Sequence, residues 1–272
     1  MSLSGWLRGL IASRPEIADD AWQALMSRSR LFAKLDAGDR AGLRALSARF
    51  LARKTFTAAG GHALTDEQRL AIAALACLPI LHLGFDWLGG WREVIVYPGE
   101  FRVKREHHDE RTGVVTEGED ELIGEAWERG PVILSWADVA TDLKQPFDGF
   151  NVVAHEIAHK LDMLDGAMNG VPRLPRDIAR REWIDTLQSA YDGLVRAVDR
   201  GRETFIDPYA AESADEYFAV VSELYFSDRA GLAHRSRQGR QARQGRQRRG
   251  GQERRPRQIP RGGVLHPRLD GR

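Results

Sequence analysis

The sequence predicts an α+β protein that is mostly helical, with a small β-sheet placed before one buried helix. Apolar residues recur at helical spacing over most of residues 1–90 and again over residues 175–226. Short apolar runs bounded by turn residues, which are typical of strands, lie between residues 94 and 136. Residues 151–162 combine an apolar helical pattern with two histidines and an acid.

The N-terminal part is expected to be helical throughout residues 1–60. One helix is expected over residues 15–26, and apolar residues at helical spacing indicate another over residues 31–50. Thr65 and Gln68 then form a capping box, which predicts the start of a buried helix rich in Ala, Leu and Ile. Pro79, near the end of that apolar run, ends or kinks the helix because it lacks a backbone N–H.

After Pro79 the pattern changes to short strands. The predicted strands are residues 94–97, 101–105, 113–116, 122–127 and 130–136. His107 and His108 fall in a charged segment between two of these strands. Adjacent residues of a strand face opposite ways, so we interpret both histidines as exposed loop residues rather than a shared site.

A helix expected to begin near Phe150 contains the pattern HExxH at residues 155–159. Residues four apart lie on one helix face, so His155 and His159 can direct two imidazoles at one metal ion. Glu156 is offset by one position and can act as general base on a water held there. The alternative is a chance match, because the pattern fixes only three positions.

Downstream, Asp165-Gly166 is expected to end this helix, and a long amphipathic helix follows over residues 175–198. Residues 207–212 indicate a turn before a final helix over residues 214–226. These helices are the source of the remaining site candidates.

A catalytic zinc site needs a third protein ligand, and carboxylates near the last helix are the candidates. Glu216 is the first choice and Glu212 the second; a helix-capping or salt-bridge role for Glu216 is the alternative. Glu216 shares an otherwise apolar face with Glu223. Asp162 either supports a ligand imidazole or forms a helix-end salt bridge. Tyr209, seven residues before Glu216, either reaches the site or packs in its turn.

Composition indicates a soluble globular chain of 272 residues with one cysteine, Cys77, which we interpret as a small core residue. No intrachain disulfide is then possible. No segment has the pattern of a signal peptide or of a membrane-spanning helix, so a cytoplasmic location without membrane association is expected.

Several blocks of the sequence together resemble the Mlc titration factor A family of bacterial zinc peptidases, and the resemblance extends from about residue 20 to residue 227. The matching blocks are residues 124–127, 130–136, 155–162, 165–166, 169–172, 209–211 and 216–220. The resemblance implies a zincin-like metallopeptidase fold, with an N-terminal helical region over residues 1–90 that forms one compact unit with a catalytic region over residues 91–227.

The resemblance also implies the roles of the site residues. His155, His159 and Glu216 would bind one Zn²⁺ per chain, Glu156 would be the general base for a zinc-bound water, and Tyr209 would stabilise the transition state. The implied activity is that of an aminopeptidase acting on peptides. The implied protein partner is a glucose-responsive transcriptional repressor of sugar uptake, and a non-catalytic protein that sequesters this repressor is the alternative function.

The chain departs from the family after residue 227. Residues 228–272 hold 14 arginines and three acidic residues and are rich in Gly and Gln, so this segment is expected to be a basic disordered tail. Direct nucleic-acid binding is expected only weakly, through phosphate contacts of this tail. A frameshifted reading of the usual C-terminus is the other explanation for its composition.

Overall fold

The structure is a computed structural model that describes residues 16–99, 130–229 and 231–233. Within these residues the chain forms α-helices packed around a three-stranded sheet, which confirms the predicted α+β class. The helices are α1 (Asp19–Arg28), α2 (Ala37–Arg53), α3 (Asp66–Cys77), α4 (Trp136–Lys144), α5 (Val152–Asp162), α6 (Arg180–Val198) and α7 (Ala214–Ser227). The strands are β1 (Thr55–Ala58), β2 (Glu93–Tyr97) and β3 (Val132–Ser135). Short 3-10 turns cover Arg30–Lys34, Phe85–Leu88, Met163–Asp165 and Pro208–Ala211.

The predicted capping box at the start of α3 is present. The Gln68 N–H donates to Thr65 Oγ1 over 3.3 Å, and the Thr65 N–H donates to Gln68 Oε1 over 3.0 Å. Helix α3 ends at Cys77, two residues before Pro79, and the Cys77 side chain is fully buried as expected. The capping box gives a partner to two N–H groups that would otherwise lack one, those of Thr65 and Gln68.

The expectation of helix throughout residues 1–60 is wrong at its end, where residues 55–58 form strand β1. The Thr55 N–H donates to the Arg92 carbonyl over 2.8 Å, and β1 then pairs in parallel with β2. Two threonines and a phenylalanine favour an extended chain, but the strand exists because of this distant partner. Local helical spacing carries no information about such a pairing.

The sheet has the order β1-β2-β3 and both pairs are parallel, with Thr55 opposite Glu93 and Val94 opposite Val132. The strands predicted at residues 94–97 and 130–136 are therefore confirmed, apart from their ends. The strands predicted at residues 101–105, 113–116 and 122–127, together with His107 and His108, lie outside the described residues.

Helix α4 was not predicted, and it begins at Trp136, which the sequence placed in a strand. Ser135 ends β3 and caps the helix, with its Oγ accepting a hydrogen bond from the Asp138 N–H over 3.4 Å. An apolar run that continues from the strand into the helix hides this boundary.

Two main cores meet where α5 packs against α7, with a small third apolar cluster between them. The larger core contains helices α1 to α3, the sheet, and the α5 residues Val153, Ile157 and Leu161. The smaller core joins α6 to α7 residues such as Tyr217 and Val220. Helix α5 begins two residues after the predicted Phe150, and α6 begins at Arg180, within the predicted range 175–198.

Two predictions remain, one about membrane-spanning helices and one about the tail after residue 227. In the part of the chain that the structure describes, every helix is too short or too polar to cross a membrane. Arg229 and residues 231–233 form a further helical turn after α7, in which the Leu232 N–H donates to the Asp228 carbonyl over 3.0 Å. The rest of the predicted tail lies outside the described residues.

Candidate metal centre

The N-terminus of α5 is fixed by three hydrogen-bond acceptors from different parts of the chain. Asn151 caps the helix, with its Oδ1 accepting from the Ala154 N–H over 3.0 Å. Asp142 Oδ2 accepts from the Val152 N–H over 2.8 Å, and Glu223 Oε1 accepts from the Asn151 N–H over 2.6 Å. The first turn of the helix is therefore held firmly on both α4 and α7.

Three side chains converge on one point between α5 and α7. His155 Nε2 lies 3.2 Å from His159 Nε2, and Glu216 Oε2 lies 3.4 Å and 3.5 Å from those two nitrogens. These residues form a group that could hold a metal ion. Ligands about 2.0–2.1 Å from a tetrahedral zinc are about 3.3 Å apart, so the three separations fit such an ion.

Glu216 Oε2 supplies a second indication of an ion. This oxygen is buried and has no hydrogen-bond partner within the described residues. A buried carboxylate oxygen without a donor is unfavourable, and coordination to a cation removes that cost. Hard oxygen and imidazole nitrogen together form a donor set that suits zinc and similar divalent metals.

The charges at this point are strongly coupled. Burial opposes ionisation of Glu216, but the nearby imidazoles of His155 and His159 and the hydrogen bond from Tyr209 outweigh it and hold the pKa of this carboxyl far below its usual range. Burial likewise opposes a positive charge on His155, yet the nearby carboxylates of Glu216 and Glu223 raise its pKa to about 10. The pocket thus keeps Glu216 as a carboxylate, the form that binds a metal ion.

Tyr209 lies at the same place, in the turn before α7. Its hydroxyl donates to Glu216 Oε1 over 2.8 Å, and its backbone N–H donates to Asp207 Oδ1 over 2.8 Å. Glu156 is half-buried on α5 beside His155, and its negative charge contributes to the raised pKa of that histidine. Glu212, the second candidate for the third ligand, is exposed and outside the cluster.

Sequence reasoning placed Glu223 on the same face as Glu216 but gave it no role. The structure places Glu223 Oε2 3.3 Å from His155 Nδ1, on the opposite side of the imidazole from Glu216. The available signal was the presence of two acids seven residues apart on an apolar helix face. The sequence could not show that the partner of Glu223 is His155.

Asp162 has a different role from either of the two expected. Its Oδ2 accepts from the N–H groups of Asn169 at 2.9 Å and Gly170 at 2.7 Å, so it ties the following loop to the end of α5. Burial raises the pKa of Asp162 to about 7, against the effect of these two donors. His159 Nδ1 is buried and has no hydrogen-bond partner in the described part of the chain.

Comparison with known proteins gives the wider context of this geometry. The sequence profile of the family described as Glucose-regulated metallo-peptidase M90 matches residues 3–238. The chain belongs to this metallopeptidase family. An uncharacterised protein of Synechocystis is 40% identical over 220 residues, which are 80% of this chain and 79% of the relative. Mlc titration factor A of Salmonella gallinarum and of Salmonella typhimurium is 40% identical over 203 residues, 72% of this chain and 74% of each relative.

The resemblance stated from the sequence blocks is thereby confirmed, and the M90 membership supports a metallopeptidase. The cluster of His155, His159 and Glu216 is the group of potential metal ligands found among the described residues of this M90 protein. Membership of the family and the arrangement of the three ligand atoms both indicate a metallopeptidase.

Proposed function

We propose that this protein is a zinc-dependent peptidase of aminopeptidase type, in which His155, His159 and Glu216 bind one Zn²⁺. The observation that supports this most directly is the triangle of ligand atoms with sides of 3.2, 3.4 and 3.5 Å. The oxygen at one corner of this triangle has no hydrogen-bond donor among the residues that the structure describes. A structural zinc site uses four protein ligands, whereas three leave one position open for chemistry.

When bound, zinc supplies Lewis acidity that polarises the scissile carbonyl and makes water a nucleophile near neutral pH. Glu156 accepts the proton of the attacking water and then delivers it to the leaving amine. The Tyr209 hydroxyl, which donates to Glu216 Oε1 in the structure, is the donor that we assign to the oxyanion of the tetrahedral intermediate. Preference for the amino terminus of a peptide follows from the family resemblance.

The test compares the wild type with three variants that are prepared and assayed in parallel. Glu216→Gln removes the charged ligand, so the protein loses both zinc and the cleavage of amino-acid anilides. Glu156→Gln retains about one zinc per chain and loses turnover, because only the base is removed. Glu212→Gln is the matched control at an exposed acid on the same segment and leaves both properties unchanged.

Two results would contradict the proposal. A folded wild-type protein that binds no zinc and cleaves no peptide would contradict the enzyme assignment. Full activity in Glu156→Gln would contradict only the assignment of Glu156 as general base. Another group would then accept the proton of the water.

A second function is regulatory, namely sequestration of a transcriptional repressor of sugar uptake. It is favoured by the relatives whose name, Mlc titration factor A, refers to a titrated partner. If binding is independent of catalysis, the inactive Glu156→Gln variant binds the repressor as tightly as the wild type in a titration calorimetry experiment. Failure of both proteins to bind an Mlc-like repressor would remove this second function.

A further inference from the structure

We infer that Glu223 is a positioning residue, which holds the proton of His155 on Nδ1 and thereby directs Nε2 to the metal. The inference rests on the proposed metal site and assigns a residue that acts through one of its ligands. It concerns the binding of the ion as well as catalysis.

The contacts of His155 place its ring between two carboxylates of one helix. Nε2 faces Glu216 Oε2 at 3.4 Å, and Nδ1 faces Glu223 Oε2 at 3.3 Å. Both acids belong to α7 and are seven residues, or about two helical turns, apart. The side chains of His155 and Glu223 are 16% and 11% exposed, so water competes poorly for their contact.

A carboxylate on the Nδ1 side decides which nitrogen is free. A neutral imidazole carries one proton, and an ionised carboxylate can only accept a hydrogen bond. Glu223 therefore stabilises the tautomer with hydrogen on Nδ1, which leaves the Nε2 lone pair for the ion. An acceptor behind a ligand imidazole also fixes the orientation of the ring and raises its basicity.

The second oxygen of Glu223 has a partner of its own. Oε1 accepts from the Asn151 N–H over 2.6 Å, at the start of the helix that carries His155. This donor and the positive end of α5 stabilise the negative charge that the positioning role requires. The same side chain thus sets the position of the helix and the orientation of its ligand.

If Glu223 had only a structural role, it would stabilise the start of α5 without affecting zinc binding. The structural role and the positioning role can therefore be tested separately. Glu223 uses two oxygens for two N–H donors, whereas glutamine has one oxygen and one NH₂ group. In Glu223→Gln, one of the two donors must therefore face another donor, although the shape of the side chain is preserved. Glu223→Ala removes both acceptors. Asn151→Ala removes the cap of α5 without touching His155 and serves as the matched control.

The experiment measures the zinc dissociation constant of the full chain by competition with a chelator, alongside thermal unfolding of the metal-free proteins. We expect Glu223→Gln and Glu223→Ala to weaken zinc binding by about 10–100-fold. Asn151→Ala lowers thermal stability but leaves the dissociation constant within about twofold of the wild type. In the ¹⁵N-histidine spectrum of the zinc-loaded wild type, His155 keeps its proton on Nδ1.

The outcomes separate this inference from the proposed function. If the wild type binds zinc tightly and both Glu223 variants bind it equally tightly, the positioning role is wrong while the metal site stands. The same conclusion follows if Asn151→Ala weakens zinc as much as Glu223→Ala does, because the effect would then come from helix stability. A wild type without zinc affinity overturns the proposed function and this inference together.

Discussion

The substitution Asp142→Asn is expected to change how the stability of the protein depends on pH. Asp142 is buried on α4, and its Oδ2 accepts a hydrogen bond from the Val152 N–H over 2.8 Å. Burial raises the pKa of Asp142 from its ordinary 3.8 to about 7, since the Val152 donor offsets only part of the desolvation and the charge of Glu223 adds to it. This aspartate therefore destabilises the fold when it ionises.

The sign follows from proton binding in the two states. Between about pH 4 and pH 7 the folded protein holds a proton on Asp142 that the unfolded chain has lost, so the free energy of unfolding falls as pH rises through this window. At 1.36 kcal/mol per pH unit, the window corresponds to at most about 4 kcal/mol. Water penetration and relaxation reduce this figure, and we expect a measured effect of about 1–3 kcal/mol.

The assay is urea denaturation of the metal-free proteins at pH values from 5 to 8. Asparagine cannot ionise and keeps an acceptor for the Val152 N–H, so the stability of Asp142→Asn relative to the wild type rises with pH and levels off above about pH 7.5. Asp177→Asn, at an exposed aspartate outside α4, is the control and gives a flat difference. A flat difference for Asp142→Asn as well would refute the reasoning, because Asp142 would then ionise equally in both states.

Two further predictions concern other contacts. Gly170→Ala and Gly166→Ala both place alanine at positive φ, with a backbone cost of about 1–2 kcal/mol each. Only the Gly170 variant adds a clash, 2.6 Å from the Ala214 carbonyl oxygen, so urea denaturation should show a clearly larger loss there, and equal losses would contradict the close approach of the loop to α7. Tyr209→Phe is expected to lower kcat by about 10²–10³-fold, the usual effect of losing an oxyanion donor, while zinc content stays near one per chain. Unchanged kcat with normal zinc content would assign Tyr209 to support of Glu216 alone.

The sequence predicted those parts of the site that depend on local spacing. The histidines four residues apart on α5 and the choice of Glu216 over Glu212 needed only helix geometry and the resemblance to a family. The capping box at Thr65 was equally local.

The parts that the sequence did not predict depend on distant partners. Strand β1 forms because residues 93–97 pair with it, and Glu223 acquires its role only where α7 meets His155. Asp162 behaves in the same way, since its partners are backbone N–H groups of a loop that no side-chain pattern reveals. Contacts of this kind appear only after the helices are docked.

The division of the interior into two cores gives the candidate centre a mechanical consequence. His155 and His159 belong to a helix anchored in the larger core, whereas Glu216 belongs to a helix anchored in the smaller one. An ion held by all three would be a removable cross-link between these two helices, added to the apolar cluster of Ala158, Phe218 and Ala219 that already joins them. Its occupancy is thermodynamically linked to their docking, so each tenfold excess of free metal over the dissociation constant adds about 1.4 kcal/mol against their separation. Metal supply would therefore strengthen the docking of α5 on α7.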